Sequence, residues 1–512
     1  MELPENRAYD VVVAGGGPVG MMLACELALH GVSVLVAEQR AHGTPEPRTL
    51  TLHARTLELL DRRGLLAEFT AAEKDTADVD AYRRRLANSS ARGHFAGLFL
   101  LGRGGATAEQ PRELLLSRET ATALLARRAT ALGAVLADGT RVTGLEQPAE
   151  RDGRAAAGVT VTVEDAKGTR TLRARWLVGC DGGRSTVRKL AGIGFPGTPP
   201  QTVSWIGLGT LTRQERLPTG WHRGERGWFM RMPDGRISTT EWDRPVPQEP
   251  PTAREVEESI HRVTGERVTF TEVRHLSRFT DSTRLAARYR AGHVLLAGDA
   301  AHVHFPAGGQ GANLGLQDAV NLGWKLAAAC RGRTRPLDTY EPERRPVAER
   351  VLDNTRAQVA LMRPGPQVDA LRDLFTRLMA LDDVNDLLTR AIYGTDVHYG
   401  GEDAGGGGAP RVGAFVADRP LTTDLGPVRL AELHRDGSPL LLDFTDGSVA
   451  RAPAAPWRDR VRVVAAPGTA AEAAVLLVRP DGHLAWAADA PVRPEDVRAA
   501  LTEWAGPAAD LV

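Results

Sequence analysis

The residues best suited to chemistry lie in one segment of the second half of the chain. The mostly apolar run 293–297 is followed by Gly298 and Asp299, and then by a glycine-rich loop, 305–313. The run predicts a buried strand, and apolar residues at helical spacing over 316–329 predict a helix. An aspartate, glycines that let the backbone approach a ligand closely, and the unpaired N–H groups of a helix start are suited to holding a polar ligand.

A second glycine motif lies near the N-terminus. The apolar run 9–14 predicts a strand, and Gly15, Gly17 and Gly20 follow it with the GxGxxG spacing of a dinucleotide-binding turn. Glu38 comes 18 residues after Gly20, at the end of the next predicted strand. An acid at that place binds ribose hydroxyls. These features predict a Rossmann-like unit that binds the adenosine half of a dinucleotide.

A third motif, Asp181-Gly182, follows the predicted strand 176–180. The three motifs, in this order and at these separations, resemble the FAD-dependent aromatic hydroxylases, the group A flavoprotein monooxygenases with the p-hydroxybenzoate hydroxylase fold. The resemblance covers residues 8 to 360. It implies that FAD is the cofactor and that NADPH, a co-substrate, binds transiently at the surface without a second glycine fingerprint. Asp181 would lie near both.

The resemblance also assigns roles to single residues. Asp299 would bind the ribityl or pyrophosphate part of FAD, and Arg48 would lie along the cofactor. The family usually has a glutamine where this chain has Ser117 or Arg118, so we expect Arg118 to reach phosphate instead. The residues predicted to contact FAD are Gly15, Gly17, Pro18, Val19, Gly20, Glu38, Arg48, Arg118, Val142, Asp181, Asp299, Pro306, Gly309, Gly311, Ala312 and Asn313.

Composition excludes several other classes of protein. The chain has 512 residues and a formal net charge of zero, so it has no electrostatic footprint for nucleic acid or an anionic membrane. Its three cysteines are far apart, which argues against a flavin–disulfide reductase. His302 and His304 are two residues apart with no third ligand in register, so no metal site is expected. No apolar run approaches the ~20 residues of a membrane span, and we expect a soluble, cytoplasmic protein.

The predicted fold class is α/β, with three interleaved units. A Rossmann-like FAD-binding domain is interrupted by a β-sheet substrate domain and followed by a C-terminal thioredoxin-like domain without a CxxC pair. The predicted boundaries are 1–77, 114–195 and 285–395 for the FAD-binding domain, 78–113 and 196–284 for the substrate domain, 396–410 for a linker and 411–512 for the C-terminal domain.

The spelling of the central motif and the C-terminal domain move the resemblance toward hydroxylases of angucycline- and anthracycline-type polyketides. The implied reaction is hydroxylation of a polycyclic aromatic substrate with NADPH and O₂ through a flavin C4a-hydroperoxide. Baeyer–Villiger oxygen insertion and a non-redox FAD-binding role remain alternatives. No catalytic residue is assigned, and a homodimer is expected. The predicted substrate contacts are Trp228, Phe229, Met230 and Phe305.

Overall fold

The computed structural model describes residues 8–40, 49–73, 93–102, 113–147, 158–232, 235–400, 412–423, 426–445, 447–467, 469 and 471–508. The strands in these ranges are β1 Tyr9–Ala14, β2 Val34–Glu38, β3 Thr49–His53, β4 Gly93–Phe95, β5 Leu98–Leu101, β6 Glu113–Ser117, β7 Val135–Asp138, β8 Arg141–Glu146, β9 Val159–Asp165, β10 Gly168–Gly179, β11 Gly197–Thr198, β12 Thr202–Leu211, β13 Gly220–Gly224, β14 Gly227–Arg231, β15 Arg236–Trp242, β16 Phe270–Thr280, β17 Thr283–Leu285, β18 Arg290–Ala291, β19 Val294–Leu296, β20 His302–Val303, β21 Pro420–Thr423, β22 Gly426–Arg429, β23 Leu440–Asp443, β24 Arg462–Ala465, β25 Val475–Val478 and β26 Leu484–Ala488.

The α-helices in the same ranges are α1 Pro18–Leu29, α2 Ala54–Arg62, α3 Leu66–Glu73, α4 Arg118–Ala131, α5 Thr186–Leu190, α6 Ala253–Thr264, α7 Gln310–Cys330, α8 Arg335–Asp338, α9 Tyr340–Met362, α10 Pro366–Leu378, α11 Asp382–Tyr393, α12 Leu430–Leu433, α13 Ser448–Ala454 and α14 Pro494–Ala505. Among these described helices none is long and apolar enough to cross a membrane.

The largest sheet has the strand order β18-β19-β10-β1-β2-β7, with β8 and β9 joined at β10. Strand β1 pairs in parallel with β10 on one side and with β2 on the other. Val11, Val12 and Val13 have no exposed surface. Helices cover both faces of a parallel sheet, so its strands are continuous apolar runs, and this is the pattern that the sequence showed.

Helix α7 packs closely on α1. A Cβ at Gly323 would lie 2.3 Å from the Cβ of Glu26, and one at Gly315 would lie 2.6 Å from Val19 Cγ2. A Cβ at Gly298 would be 3.1 Å from the same Val19 side chain. Val19, a predicted FAD residue, therefore joins the first glycine motif to the central one.

Helix α7 begins earlier than the sequence suggested. The apolar spacing predicted a start at residue 316, but the helix starts at Gln310, so Gly311, Ala312 and Asn313 form its first turn instead of a loop. Glycine disfavours helix by about 1 kcal/mol relative to alanine, which hides the start from a sequence pattern. Close packing on α1 accounts for the helix extending through this glycine-containing stretch.

The substrate sheet has the order β13-β14-β15-β12-β16. Helix α6 covers one face, where Phe229 and Trp205 pack with Val256 and Ile260. The other face meets a separate apolar cluster that includes Trp228 and residues of the FAD-binding segments. Because side chains alternate along a strand, neighbouring residues of β14 point to different clusters.

The C-terminal domain is built on a four-stranded sheet of order β24-β23-β25-β26. The pair β23–β24 is parallel, whereas β23–β25 and β25–β26 are antiparallel. Helices α13 and α14 pack on it around Leu441 and Leu501. The α/β fold class with these three units is confirmed, and the predicted domain boundaries stay a prediction.

Candidate flavin-binding site

The first glycine motif forms a tight cradle at the end of β1. Gly15 has φ of +104°, and a Cβ there would lie 2.4 Å from the carbonyl oxygen of Cys180. A Cβ at Gly20 would lie only 1.9 Å from the Gly15 carbonyl oxygen. Gly17 is the N-cap of α1 and Pro18 occupies its first turn. The N-terminus of α1 thus offers backbone N–H groups to an anion such as a pyrophosphate, and these residues fit FAD.

Glu38 lies at the end of β2, beside this cradle. Its Oε2 accepts the N–H of Gly16 at 2.6 Å, and its Oε1 accepts the N–H of Arg40 at 2.9 Å. A carboxylate has about four acceptor positions, and Oε1 also accepts Arg40 Nε at 3.5 Å, so Oε2 is the oxygen that keeps capacity for a ribose hydroxyl. Val142, on the neighbouring β8, is buried. Their contacts with the adenosine part of FAD stay predictions.

Arg118 lies beside the glycine turn at the start of α1. Its Nη2 is 2.9 Å from the position of a Cβ at Gly17. Ser117 serves a different purpose, because its hydroxyl accepts the N–H of Thr120 and caps α4. The geometry therefore favours Arg118 as a phosphate contact and places Ser117 in a structural role.

The central motif turns sharply after β19. Gly298 has φ of +62°, and Asp299 is exposed between buried neighbours. Arg188, from the helix after the Asp181 motif, donates to the carbonyl of Ala300 at 2.9 Å. Pro306 is likewise exposed between two buried residues. Exposed side chains on an otherwise buried loop suit contacts with a large cofactor.

The Asp181 carboxylate is engaged mainly in hydrogen bonds within the protein. Its Oδ2 accepts the N–H groups of Thr186 at 2.7 Å and Val187 at 3.0 Å, and its Oδ1 accepts the Ser185 hydroxyl. The carboxylate thus caps α5 and shapes the turn at Gly182. We therefore expect this segment to approach FAD through the turn rather than through a free carboxylate.

The N-terminus of α7 faces the loop at Pro306. Gly309, with φ of +65°, is its N-cap and has no side chain to satisfy the first N–H groups. The side chain of Asn313 accepts the N–H of His53 at 2.8 Å and donates to the carbonyl of Thr51 at 2.7 Å. Asn313 therefore ties β3 to the helix start, and Gly311 and Ala312 present backbone N–H groups there.

His53 is a functional candidate that sequence reasoning missed. Its Nδ1 lies 2.9 Å from the carbonyl oxygen of Ile392, which only accepts, so Nδ1 carries the proton. Burial lowers the pKa of His53 to about 4. The ring is neutral at pH 7, and its Nε2 lies 3.5 Å from the position of a Cβ at Gly309. The sequence signal was weak, because His53 is one of four polar residues in 50–57.

The two histidines of the central motif have separate partners. His302 Nε2 lies 2.7 Å from Asp318 Oδ2, and His304 Nδ1 lies 2.8 Å from the Phe305 carbonyl oxygen. Over the part of the chain that the structure describes, no group of three or more His, Cys, Asp and Glu could hold a metal ion.

An aromatic cluster lies beside the Pro306 loop. Phe305 is 5.6 Å, between ring centroids, from Phe279 of the substrate sheet. Trp228 belongs to the same cluster and lies 5.7 Å from Trp221. Met230 is half-buried and, by alternation along β14, shares the face of Trp228.

Phe229 differs from the other predicted substrate contacts. It packs under α6 on the opposite face of the sheet, so we no longer propose it as a pocket wall. Arg48, predicted to lie along FAD, falls outside the residues that the structure describes.

Comparison with known proteins agrees with this geometry. Residues 8–355 match the family described as "FAD binding domain", and residues 409–508 match "Aromatic-ring hydroxylase, C-terminal". The 12-dehydrotetracycline 5-monooxygenase/anhydrotetracycline 6-monooxygenase of Streptomyces rimosus is 41% identical, over 98% of this chain and 99% of its own length. The dialkyldecalin synthase of Streptomyces rugosporus is 36% identical, over 98% of this chain and 99% of its own.

Two solved structures extend the likeness to the fold. The anhydrotetracycline hydroxylase OxyS from Streptomyces rimosus has a TM-score of 0.86 at 41% identity, over 98% of this chain and all of that one. CabE, an aromatic hydroxylase from angucycline biosynthesis, has a TM-score of 0.82 at 35% identity, over 98% of this chain and 99% of that one.

The chain therefore belongs to the FAD-dependent aromatic-ring hydroxylases. Within that family it is a flavoprotein monooxygenase of the aromatic polyketide branch, as the central motif and the C-terminal domain predicted.

Proposed function

We propose that this protein hydroxylates a polycyclic aromatic polyketide, using NADPH and O₂. The observation that carries the proposal is the aromatic cluster of Phe305, Phe279 and Trp228, which lies directly beside the Pro306 loop and the N-terminus of α7. The partly buried rings at the edge of this cluster, Phe279, Trp221 and Trp242, would meet a flat, electron-rich ring system, and aromatic pairs add about 0.5–1.5 kcal/mol beyond area burial. The relatives named for tetracyclic and angular polyketides support the same substrate class.

The protein's own residues would position FAD, exclude water and stabilise negative charge on the flavin. FAD, when bound, supplies the activation of O₂ and the transfer of one oxygen atom. The backbone N–H groups at Gly311 and Ala312 form the start of α7, where a helix N-terminus favours negative charge on the flavin ring system. The aromatic cluster excludes water from the same region, which protects reactive species from side reactions.

Purified protein should oxidise NADPH slowly alone and faster with a tetracyclic or angular phenol. The product should gain one oxygen atom, and ¹⁸O₂ should label it. Stimulated oxidation with no labelled product would contradict the proposal. NMR of the product separates ring hydroxylation from the ester of a Baeyer–Villiger reaction.

A second candidate function is a cyclisation without net oxidation. The dialkyldecalin synthase relative favours it, and so does the structure of the Diels-Alderase PyrE3, which has a TM-score of 0.77 at 33% identity over 97% of this chain and 99% of that one. The discriminating result is a product of unchanged mass formed without NADPH. The homodimer and the cytoplasmic location stay predictions.

A further inference from the structure

The loop that carries Asp299 is held from behind by one buried carboxylate. Asp318, on α7, accepts the Gly298 N–H at 3.1 Å through Oδ2, and the same oxygen lies 2.7 Å from His302 Nε2. Neither the Asp318 nor the His302 side chain has exposed surface. Both ends of the segment 298–302 are thus attached to Asp318, with Asp299 between them.

Arg344, on α9, fixes that carboxylate. Its Nε donates to Asp318 Oδ1 at 2.7 Å, and its Nη2 donates to the carbonyl of Leu314 at 3.1 Å. Burial alone would raise the pKa of Asp318, but Arg344 and His302 outweigh it and hold that pKa below its usual range. The ionised carboxylate therefore depends on Arg344 for its position.

The third nitrogen of the Arg344 guanidinium points toward the C-terminal domain. Its Nη1 donates to the Tyr399 hydroxyl at 3.0 Å. The Tyr399 ring lies 4.2 Å, between centroids, from the ring of His483, in the turn between β25 and β26. The Tyr399 N–H also donates to the carbonyl of Gly413 at 2.8 Å. One tyrosine thus connects Arg344 to the C-terminal domain.

The neighbouring residue of α9 makes a parallel contact. Glu343 accepts from Arg479 Nη1 at 2.7 Å and from Nη2 at 2.8 Å, and Lys325 Nζ lies 2.6 Å from Glu343. Arg479 also pairs with Asp481 in the same turn. The C-terminal domain therefore holds two consecutive residues of α9, and one of them leads to the loop.

Stability alone is a weak reason for such a series. Apolar residues of similar volume often replace buried ion pairs at no cost, so a series of buried charges suggests a need for defined geometry. This series ends on the backbone N–H of Gly298, directly before Asp299.

We propose that Tyr399 and Arg344 are positioning residues for FAD. Acting through Asp318, they set the position of the loop 298–302, so the C-terminal domain contributes to FAD binding without touching the flavin. The inference rests on the proposed contact of Asp299 with FAD, and on no property of the substrate.

Tyr399→Phe tests this directly, because it removes one hydroxyl and keeps the ring against His483. The full-length apoprotein is titrated with FAD and the change in flavin fluorescence is followed. We expect the FAD dissociation constant to rise about five- to tenfold, because only part of the free energy of a hydrogen bond to a charged group reaches FAD through the intervening contacts. The visible absorption band of the bound flavin should also change. No aromatic substrate is present in this titration. An unchanged FAD dissociation constant would therefore count against the positioning role alone and not against the proposed hydroxylase function.

Asp61→Asn is the matched control. Asp61 pairs with Arg429, which also joins the FAD-binding domain to the C-terminal domain but has no contact with the loop. The Asp61→Asn variant should lower Tm to an extent similar to Tyr399→Phe and leave the FAD dissociation constant unchanged. A wild-type constant in Tyr399→Phe, or an equal rise in Asp61→Asn, would overturn the proposal.

The unmodified chain offers an independent measurement if the variant folds poorly. Coupling between two sites is reciprocal, so bound FAD must stabilise the contacts that favour its binding. Hydrogen exchange should show that FAD protects amides near Tyr399 and in 479–483. Protection confined to residues 8–355 would overturn the proposal.

Discussion

At the scale of single residues, Gly20 leaves no room for a side chain. A Cβ there would lie 1.9 Å from the Gly15 carbonyl oxygen, which no side chain rotation can relieve. We expect Gly20→Ala to weaken FAD binding by at least about 100-fold or to yield colourless protein, because α1 must move away from β1. Gly194→Ala is the control, since its Cβ would meet only Ala287 Cβ at 3.8 Å. Equal FAD affinity in both variants would contradict the assignment of this glycine turn to FAD binding.

Arg118 should act on the pyrophosphate. Removing a charge-assisted contact of this kind costs about 1.5–3 kcal/mol, so Arg118→Met should raise the FAD dissociation constant by about 10- to 100-fold. Arg127→Met, on the solvent side of the same helix, should have no effect, because its side chain is 66% exposed and pairs with Glu68. Calorimetric titration with FAD measures both. An unchanged constant in Arg118→Met would remove this residue from the site.

Two buried histidines should make stability depend on pH. Burial lowers the pKa of His53, and likewise that of His483, from 6.5 to about 4. As pH falls the unfolded chain therefore binds protons first, and the free energy of unfolding declines between pH 6.5 and 4. Each histidine contributes a slope of up to about 1.4 kcal/mol per pH unit.

His53→Gln keeps a donor for the Ile392 carbonyl but does not titrate. Urea unfolding of this variant at several pH values should show a shallower decline than the wild type. The same slope in both proteins would mean that the pKa of His53 is the same in the folded and the unfolded chain.

At the scale of elements, the two faces of strand β14 should have different roles, one in substrate binding and the other in stability. Trp228 faces the aromatic cluster, whereas Phe229 faces α6. Trp228→Phe should raise the KM for the aromatic substrate about tenfold and increase H₂O₂ formed per NADPH, because the pocket wall recedes and admits water. Phe229→Leu should lower the unfolding free energy by about 1–2 kcal/mol with KM unchanged. If Phe229→Leu raised KM and Trp228→Phe only lowered stability, the substrate would lie on the face of the sheet that Phe229 occupies.

The elements themselves differ in how well sequence predicts them. Strands β1 and β2 follow directly from buried apolar runs, one ending before Gly15 and the other beginning soon after Gly31. The start of α7 does not, because Gly311 and Gly315 lower the intrinsic helix propensity of this stretch. Packing on α1 compensates for that low propensity, and the sequence pattern does not show this packing. The face of a residue within the substrate sheet is also hidden when both faces are apolar, which is why Phe229 was misplaced beside Trp228.

At the scale of the whole molecule, the sequence predicted the order of three units but not how they are joined. The motifs that carry FAD are local and have fixed spacing, so they can be recognised in the chain. The contacts from Asp318 through Arg344 to Tyr399 join residues 26 and 55 positions apart. No periodicity marks such pairs, and only the fold brings them together.

The most direct test of the central claim is NADPH oxidation by the purified yellow protein under ¹⁸O₂, with a tetracyclic phenol present or absent. The account predicts that the phenol accelerates NADPH oxidation and that the product carries one ¹⁸O atom on an aromatic ring. A protein that holds FAD yet forms products of unchanged mass, with no dependence on NADPH, would contradict the monooxygenase and favour a cyclase.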